Sequence, residues 1–455
     1  MPNTSGQPDK ANVQGLIMRG YSHPFSCHML FRFPDKAGAA RFVTPLLPYL
    51  QDARQWAEKP KRMLNIGLTY NGIGTVKPSL KGTFFSPSFT EGPASSDPNG
   101  PQASLFDLGA SAPENWWYKK FTTDDIHAVV HVYALTSGDL TSLVTVVANA
   151  AETAGVTELF PLNSGSGRLE QYELPGETVY FGYRDGIDNP DLGWPSDPSN
   201  TSPQDLNNFL IGYPPYNPGP TQGDAGVFAK DGCYDAFRIF YQDVKAFEDF
   251  LDTNAPAVAA ATNKLLQDAR DWLAAKLVGR WYNGSPLILS PDKPDPNTAD
   301  ATEFGYTGDP AGVQCPFSAH TRNANPRDED VNPADTPIPR IARRGMPYGA
   351  PPKPPDYSGD RGLIGLFLVG DLASQFELVY SWMNQNTFSP LFSTDTQDAV
   401  LANRATPQAD TSFTIPTPGV PIVIPSLPQF LVTRGTAYFL LPSIATLRNI
   451  AAGTA

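Results

Sequence analysis

The chain is poor in the side chains that most often bind metals or form crosslinks, with three cysteines and five histidines in 455 residues. Cys27, Cys233 and Cys315 are scattered and odd in number, so they make neither a Cys-x-x-Cys motif nor a disulfide framework, and a reducing setting is favoured. No run of eighteen apolar residues occurs, which excludes a bilayer-spanning helix. The first ten residues lack the apolar stretch of a signal peptide. The expectation is therefore a cytoplasmic protein, with export by another route left open. Positive charge is also in deficit: 33 Lys and Arg stand against 46 Asp and Glu, a net charge of −13. Such a surface repels phosphate backbones and anionic headgroups, so neither nucleic acid nor membrane is the expected partner.

What is present describes a well-cored globular chain, with 40% hydrophobic and 17% charged residues. Its length suits two domains. The 47 prolines cluster between periodic segments, as in long ordered loops.

After a polar arm over 1–12, alternation predicts a strand at 28–33 and a helix at about 37–57. Leu64 to Tyr70 alternates as a strand that Asn71-Gly72 closes with a turn. Residues 83–118 read as loop. Residues 127–134 form a strand with His127 and His131 on one face, opposite Val130, Val132 and Ala134. Two histidines fall short of the three or four ligands of a zinc or copper site, so a packed or solvated face is favoured. A helix follows from Ser137 to about Gly155.

Tyr180 to Pro190 is a strand-like run breaking into a carboxylate, Asp185, bracketed by Gly182 and Gly186. A loose calcium loop of Asp185, Asp188 and Asp191 is the bland alternative, and it lacks the full ligand pattern. Asp191 to Gly223 reads as a linker or covering loop. The order of elements then recurs. A strand spans 237–241, and a helical region interrupted near Pro256 carries Leu265, Ala269, Trp272, Leu273 and Leu277 on one face. A strand follows at Leu363–Val369, a helix from about Gln375, and a hairpin-like pair from Phe430 to Leu441 around Arg434-Gly435. Strands with long amphipathic helices, twice over, predict two α+β halves.

His320 is the only histidine beyond His131. It follows Cys315-Pro316-Phe317-Ser318-Ala319 and precedes Arg322 and Arg327. Alone it reads as a structural histidine satisfied by one hydrogen bond. The competing reading is a metal or haem-iron ligand, since neutral imidazole is the commonest protein ligand for iron.

Gly182-x-x-Asp185-Gly186, the Cys315–His320 segment with Asn325-Pro326-Arg327, and Arg343-Arg344-Gly345-Met346-Pro347-Tyr348-Gly349 occur in this order. Together they resemble the dye-decolorizing peroxidases, a haem family. Weaker matches, among them Asn65–Tyr70, Ala275–Trp281, Arg361–Leu363 and Thr433–Gly435, extend over most of the chain. The likeness is to the long members without a signal peptide. It implies two ferredoxin-like α+β domains with antiparallel sheets and peripheral helices, over 13–222 and 223–455. One haem b is held non-covalently in the second. It further implies that His320 is the proximal iron ligand, Asp185 the distal acid–base residue and Arg343 its cationic partner. Gly182 and Gly186 let the haem approach closely, and Arg322 contacts a haem propionate. Tyr348 matches a position that relays radicals in some relatives, in a family that uses surface aromatics in this way. Trp382 and Tyr380 are further candidates by sequence proximity.

The implied activity is reduction of hydrogen peroxide coupled to one-electron oxidation of phenols and aromatic dyes, in a chain that allows a homo-oligomer. An aspartate titrates near 3.9 against about 6.5 for histidine, so oxidation is expected to be best below neutral pH. The sequence departs from the family at Gly345, where some relatives carry Asn. It departs again at Leu363-Ile364-Gly365, which leaves a gap in the distal lining unless Phe367 fills it. Haem storage, delivery or iron release without turnover is the alternative function, and a cofactor-free acidic scaffold is a third.

Overall fold

The computed structural model describes residues 8–82, 85–97, 100–119, 121–161, 167–190, 192–194, 204–213, 223–331, 338–385, 397–406, 409 and 411–455. Asp191 and most of the expected covering loop to Gly223 lie outside them.

The first half contributes β1 (Phe25–Arg32), α1 (Lys36–Val43), β2 (Arg62–Leu68), β3 (Ala128–Ala134), α2 (Ser137–Ala154) and β4 (Thr157–Leu159). A further strand, β5 (Leu169–Tyr172), pairs with β1. The second half contributes β6 (Cys233–Gln242), α3 (Val244–Thr262), α4 (Leu266–Val278), α5 (His320–Ala324), β7 (Ala342–Tyr348), β8 (Gly362–Val369), α6 (Leu378–Gln385) and β9 (Leu431–Leu441). The sheet order is β4-β1-β3-β2-β9-β6-β8-β7. In each half the last strand lies outside the first, then come the third and the second, with every pairing antiparallel. That is the ferredoxin-like order, twice, and the fold is α+β as expected. The halves meet where Leu68 of β2 pairs Leu440 of β9.

Alternation sends one set of strand residues under the helices and the other into a second core. Val130 and Val132 pack with α2 in the first set, while Val129, Tyr133, Phe237 and Phe439 share the second. Gln171 of β5 bridges to the carbonyls of Met346 and Ile364. A polar layer lies here too: His131 Nδ1 meets His28 Nδ1 at 2.9 Å, and its Nε2 lies 3.3 Å from Asp235. His127 packs on Phe33 instead, so the two histidines of the 127–134 segment part company.

Several elements differ from expectation for local reasons. Asn71-Gly72 is no hairpin turn. Thr69 Oγ1 accepts from the Gly72 amide and caps a helix over Tyr70–Val76. The expected helix at 37–57 stops at Val43, and Thr44–Tyr49, with Pro45 and Pro48, continues as a tighter 3₁₀ turn. Residues 83–118 include short helices at Pro87–Glu91 and Pro101–Leu105. α3 runs through Pro256 and ends instead at Asn263, whose φ of 55° is left-handed. Leu265 then falls outside the buried face, at 77% exposure. The Phe430–Leu441 segment is a single strand with a bulge between Thr433 and Gly435. A Cβ on Gly435 would lie 2.8 Å from the Phe121 ring.

A wide turn, Leu372–Glu377, leads into α6 and buries Glu377. Its carboxyl accepts from Ser88 Oγ and Tyr438 Oη, both at 2.9 Å. Burial pushes its pKa up to about 7, against the lowering effect of those two hydrogen bonds. A raised pKa means the native state holds this proton more tightly than the unfolded chain does. The stability it confers is complete below about pH 4.5 and lost as pH rises through about 7. Glu377→Gln is expected to flatten that stretch of the stability curve and to be the more stable protein at pH 8. Urea midpoints at pH 5 and pH 8 check it.

Candidate active site

His320 opens α5, a helix of five residues whose N-terminus has no capping side chain and whose anchor is Arg322. That arginine, two residues beyond the histidine, is fully buried. Its guanidinium donates to Asp309 Oδ2 (3.2 Å), to the carbonyls of Cys315 (2.6 Å) and Asp309 (3.0 Å), and to both oxygens of Glu329. It is absent from the cavity that His320 faces, so the expectation that it contacts a propionate is corrected: its donors are committed to the loop that carries the histidine. Arg322→Ala would leave two buried carboxylates without their cation, and a loss of about 3–5 kcal/mol is expected in denaturant unfolding.

With the helix anchored, the imidazole of His320 points into a cavity of about 290 Å³. Its Nδ1 lies 2.7 Å from Asp398 Oδ2, which leaves Nε2 for the cavity. Asp398 is itself fixed, since its Oδ1 accepts from the amides of Val400 and Leu401, each at 2.8 Å. Burial pulls the His320 pKa down, but the Asp398 carboxylate outweighs it and holds the imidazole above its ordinary value. No local pattern in the sequence marks this supporting acid. Asp398 is 78 residues away and carries no local motif.

Asp185 and Arg343 line the same cavity. The turn that presents Asp185 is pinned by backbone bonds from Gly182 to Val179 (2.8 Å) and from Asp185 to Glu177 (2.9 Å). Gly182 and Gly186 have φ of 87° and 77°, left-handed values that suit glycine. Gly186 lines the cavity, whereas Gly182 shapes the turn. Asp185 Oδ1 lies 3.8 Å from Arg343 Nη1, and each side chain is 38% exposed. Arg343 is held from behind, its amide donating to Asn189 Oδ1 (2.8 Å) and its Nη2 to the carbonyl of Asp188 (3.4 Å).

The calcium-loop alternative is not supported. The Asp188 carboxylate is taken by Arg327 (2.5 Å) and Arg340 (3.1 Å), and Asp191 lies outside the described residues. These arginines hold the Asp188 carboxyl below its ordinary range despite its burial.

The remaining lining is apolar, with Phe240, Leu363, Phe367, Val379, Met383 and Leu401 prominent. The gap expected at Gly365 is filled: a Cβ there would lie 2.6 Å from the Phe367 ring, which folds over the glycine. Gly345 leaves no room for a larger residue, because its Cβ would meet the Ile364 carbonyl at 2.9 Å. Tyr348 and Trp382 are buried, at 4% and 5% exposure, and neither lines the cavity. Tyr348 packs against Trp117 at 5.6 Å. The expectation of a surface relay is corrected for both. Tyr380 does line the cavity, with the Arg238 guanidinium 4.6 Å from its ring.

An apolar cavity with one imidazole directed inward, a carboxylate behind it, and an acid–guanidinium pair among its walls fits a haem and its iron. Arg184, Arg280, Arg340 and Arg344 also line the cavity, and their positive charge suits the two carboxylates of that group. The fold is that of the dye-decolorizing peroxidases. The solved complex of one such enzyme with 2,6-dimethoxyphenol superposes with a TM-score of 0.80 at 22% identity, covering 98% of this chain and all of that one. The structure from Auricularia auricula-judae gives 0.78 at 24% identity, with the same coverage. In sequence, a dye-decolorizing peroxidase of Exidia glandulosa is 27% identical over 461 residues, 96% of this chain and 86% of that one. Multifunctional dye peroxidase DyP2 of an Amycolatopsis species is 27% identical over 466 residues, 96% and 95% respectively. No family model matches the chain. In fold, and along nearly its whole length in sequence, the chain is similar to dye-decolorizing peroxidases. Among the described residues no helix is long and apolar enough to cross a membrane.

Proposed function

We propose that this protein is a haem b peroxidase that reduces hydrogen peroxide and oxidises phenols and aromatic dyes in one-electron steps. The carrying observation is a single cavity lined by His320, backed by Asp398, and by the Asp185–Arg343 pair. His320 Nε2 would hold the iron. One haem per chain, held without a covalent bond, accords with the lack of any Cys-x-x-Cys-His attachment motif.

When bound, the haem supplies an iron that takes up peroxide and stores the oxidising equivalents. Asp185 takes the proton from one peroxide oxygen and hands it to the other, which leaves as water. Arg343 stays protonated and stabilises the negative charge that grows on the leaving oxygen. Asp398, accepting from Nδ1, fixes the His320 tautomer and raises the basicity of Nε2. A carrier of haem needs His320 but not this acid–guanidinium pair, which is why turnover is favoured over storage.

The test is the absorption spectrum of the haem-loaded protein before and after hydrogen peroxide, followed by addition of a phenol such as 2,6-dimethoxyphenol. A Soret band that moves with peroxide and returns as the phenol is oxidised is expected. A band indifferent to peroxide would leave haem binding without turnover.

A further inference from the structure

We infer that Asp188 is a positioning residue that ties the turn carrying Asp185 to the segment carrying His320 and holds Arg343 in place, an inference that rests on the peroxidase reading above. Two stretches distant in sequence converge on it. Its Oδ2 accepts from Arg327 Nη2 (2.5 Å) and Asn325 Nδ2 (3.4 Å), both just beyond α5. Its Oδ1 accepts from Arg340 Nη2 (3.1 Å), on the approach to β7. Its backbone carbonyl accepts from Arg343 Nη2 (3.4 Å), and the next residue, Asn189, receives the Arg343 amide. One turn, 185–189, thus carries the acid and clamps its cationic partner by backbone and side chain together.

The charges make the tie strong. Asp188 is about four-fifths buried and sits between guanidinium groups at similar or greater burial. Arg327 is fixed on its other side by the Thr302 carbonyl (2.6 Å) and lies 3.9 Å from the Phe304 ring. Removing the Asp188 charge leaves Arg327 and Arg340 facing each other without the carboxylate between them. Such an uncompensated pair seeks new partners. The other carboxylate lining the cavity is Asp185. Arg340 is three residues from Arg343 on the same segment, so its movement displaces the guanidinium that the reaction uses.

Fluoride binding to the ferric, haem-loaded protein separates positioning from charge. Loss of one negative charge near the cavity by itself strengthens anion binding. A displaced Arg343 weakens it, because the hydrogen bond to the anion is lost. Asp188→Asn is expected to bind fluoride about tenfold more weakly, the size of one hydrogen bond to a charged group. The rate with peroxide should fall in parallel while KM for the phenol stays unchanged. In haem-free protein, amide exchange over 185–189 and 340–343 should quicken. Fluoride affinity equal to or tighter than wild type, with unaltered exchange, overturns the inference. If Asp188→Asn does not fold, Asn189→Ala removes the Arg343 amide contact, together with the 3.5 Å bond from Asn189 Nδ2 to the Gly186 carbonyl, and carries the same expectations. A wild-type protein inert to peroxide would overturn the peroxidase reading, while the exchange measurement would still decide the role of Asp188.

Discussion

His320→Ala is expected to abolish the peroxide-responsive Soret band of the reconstituted protein. Nδ1 is committed to Asp398, so Nε2 is the nitrogen available to an iron in the cavity. Loss of a partner behind a ligating histidine typically costs about 10–100-fold in affinity or activity, so loss of the ligand itself should exceed about 100-fold. Fold is expected to survive, because Arg322 and its buried carboxylates anchor α5 independently of the imidazole. Titration with haemin, read by the Soret band and by unfolding midpoint, checks both points. An alanine variant that binds haem and answers peroxide as wild type would remove His320 from the site.

Asp185→Asn is expected to separate binding from turnover. The substitution keeps size and leaves the turn pinned through its backbone, but the side chain can no longer accept a proton. General acid–base catalysis is worth roughly 10²–10⁴-fold, and a fall of that order is expected in the rate of the first spectral change with peroxide. Haem affinity should be unaltered, since the Asp185 carboxylate accepts from the Gly186 amide and faces Arg343 at 3.8 Å. Stopped-flow absorbance across pH 3–8, wild type beside variant, tests this and the expected preference for acid. A variant as fast as wild type would take Asp185 out of the mechanism.

The architecture was legible in the sequence because hydrophobic period reports which face is buried. Val130, Val132 and Ala134 fell opposite His131 as alternation required, and α2 ends within one residue of its expected limit. The misreadings share one cause: a local signal overruled by a contact from elsewhere in the chain. Asn71-Gly72 starts a helix because Thr69 caps it, and Gly435 marks a bulge because the Phe121 ring lies against it. The site divides in the same way. Asp185, His320 and Arg343 stand in short motifs, and the structure brings the three to one cavity. Asp398 and Asp188 act through partners 78 and up to 155 residues distant, and no local pattern marks them. Arg322 shows the reverse error, for proximity to a ligand in sequence is no evidence of proximity to the cofactor.

That division bears on the order of assembly. The walls of the cavity are drawn from 179–188, 240–242, 278–281, 320–401 and Leu431, so Asp185 and His320 do not share a site until a loop of more than a hundred residues has closed. Contacts of this range form late, because the chain entropy of closure is lost before they return anything. On the proposed peroxidase reading, haem capture would follow docking of the two halves and would stabilise it by mass action. On that reading, the cofactor would lock a scaffold that the chain has already built.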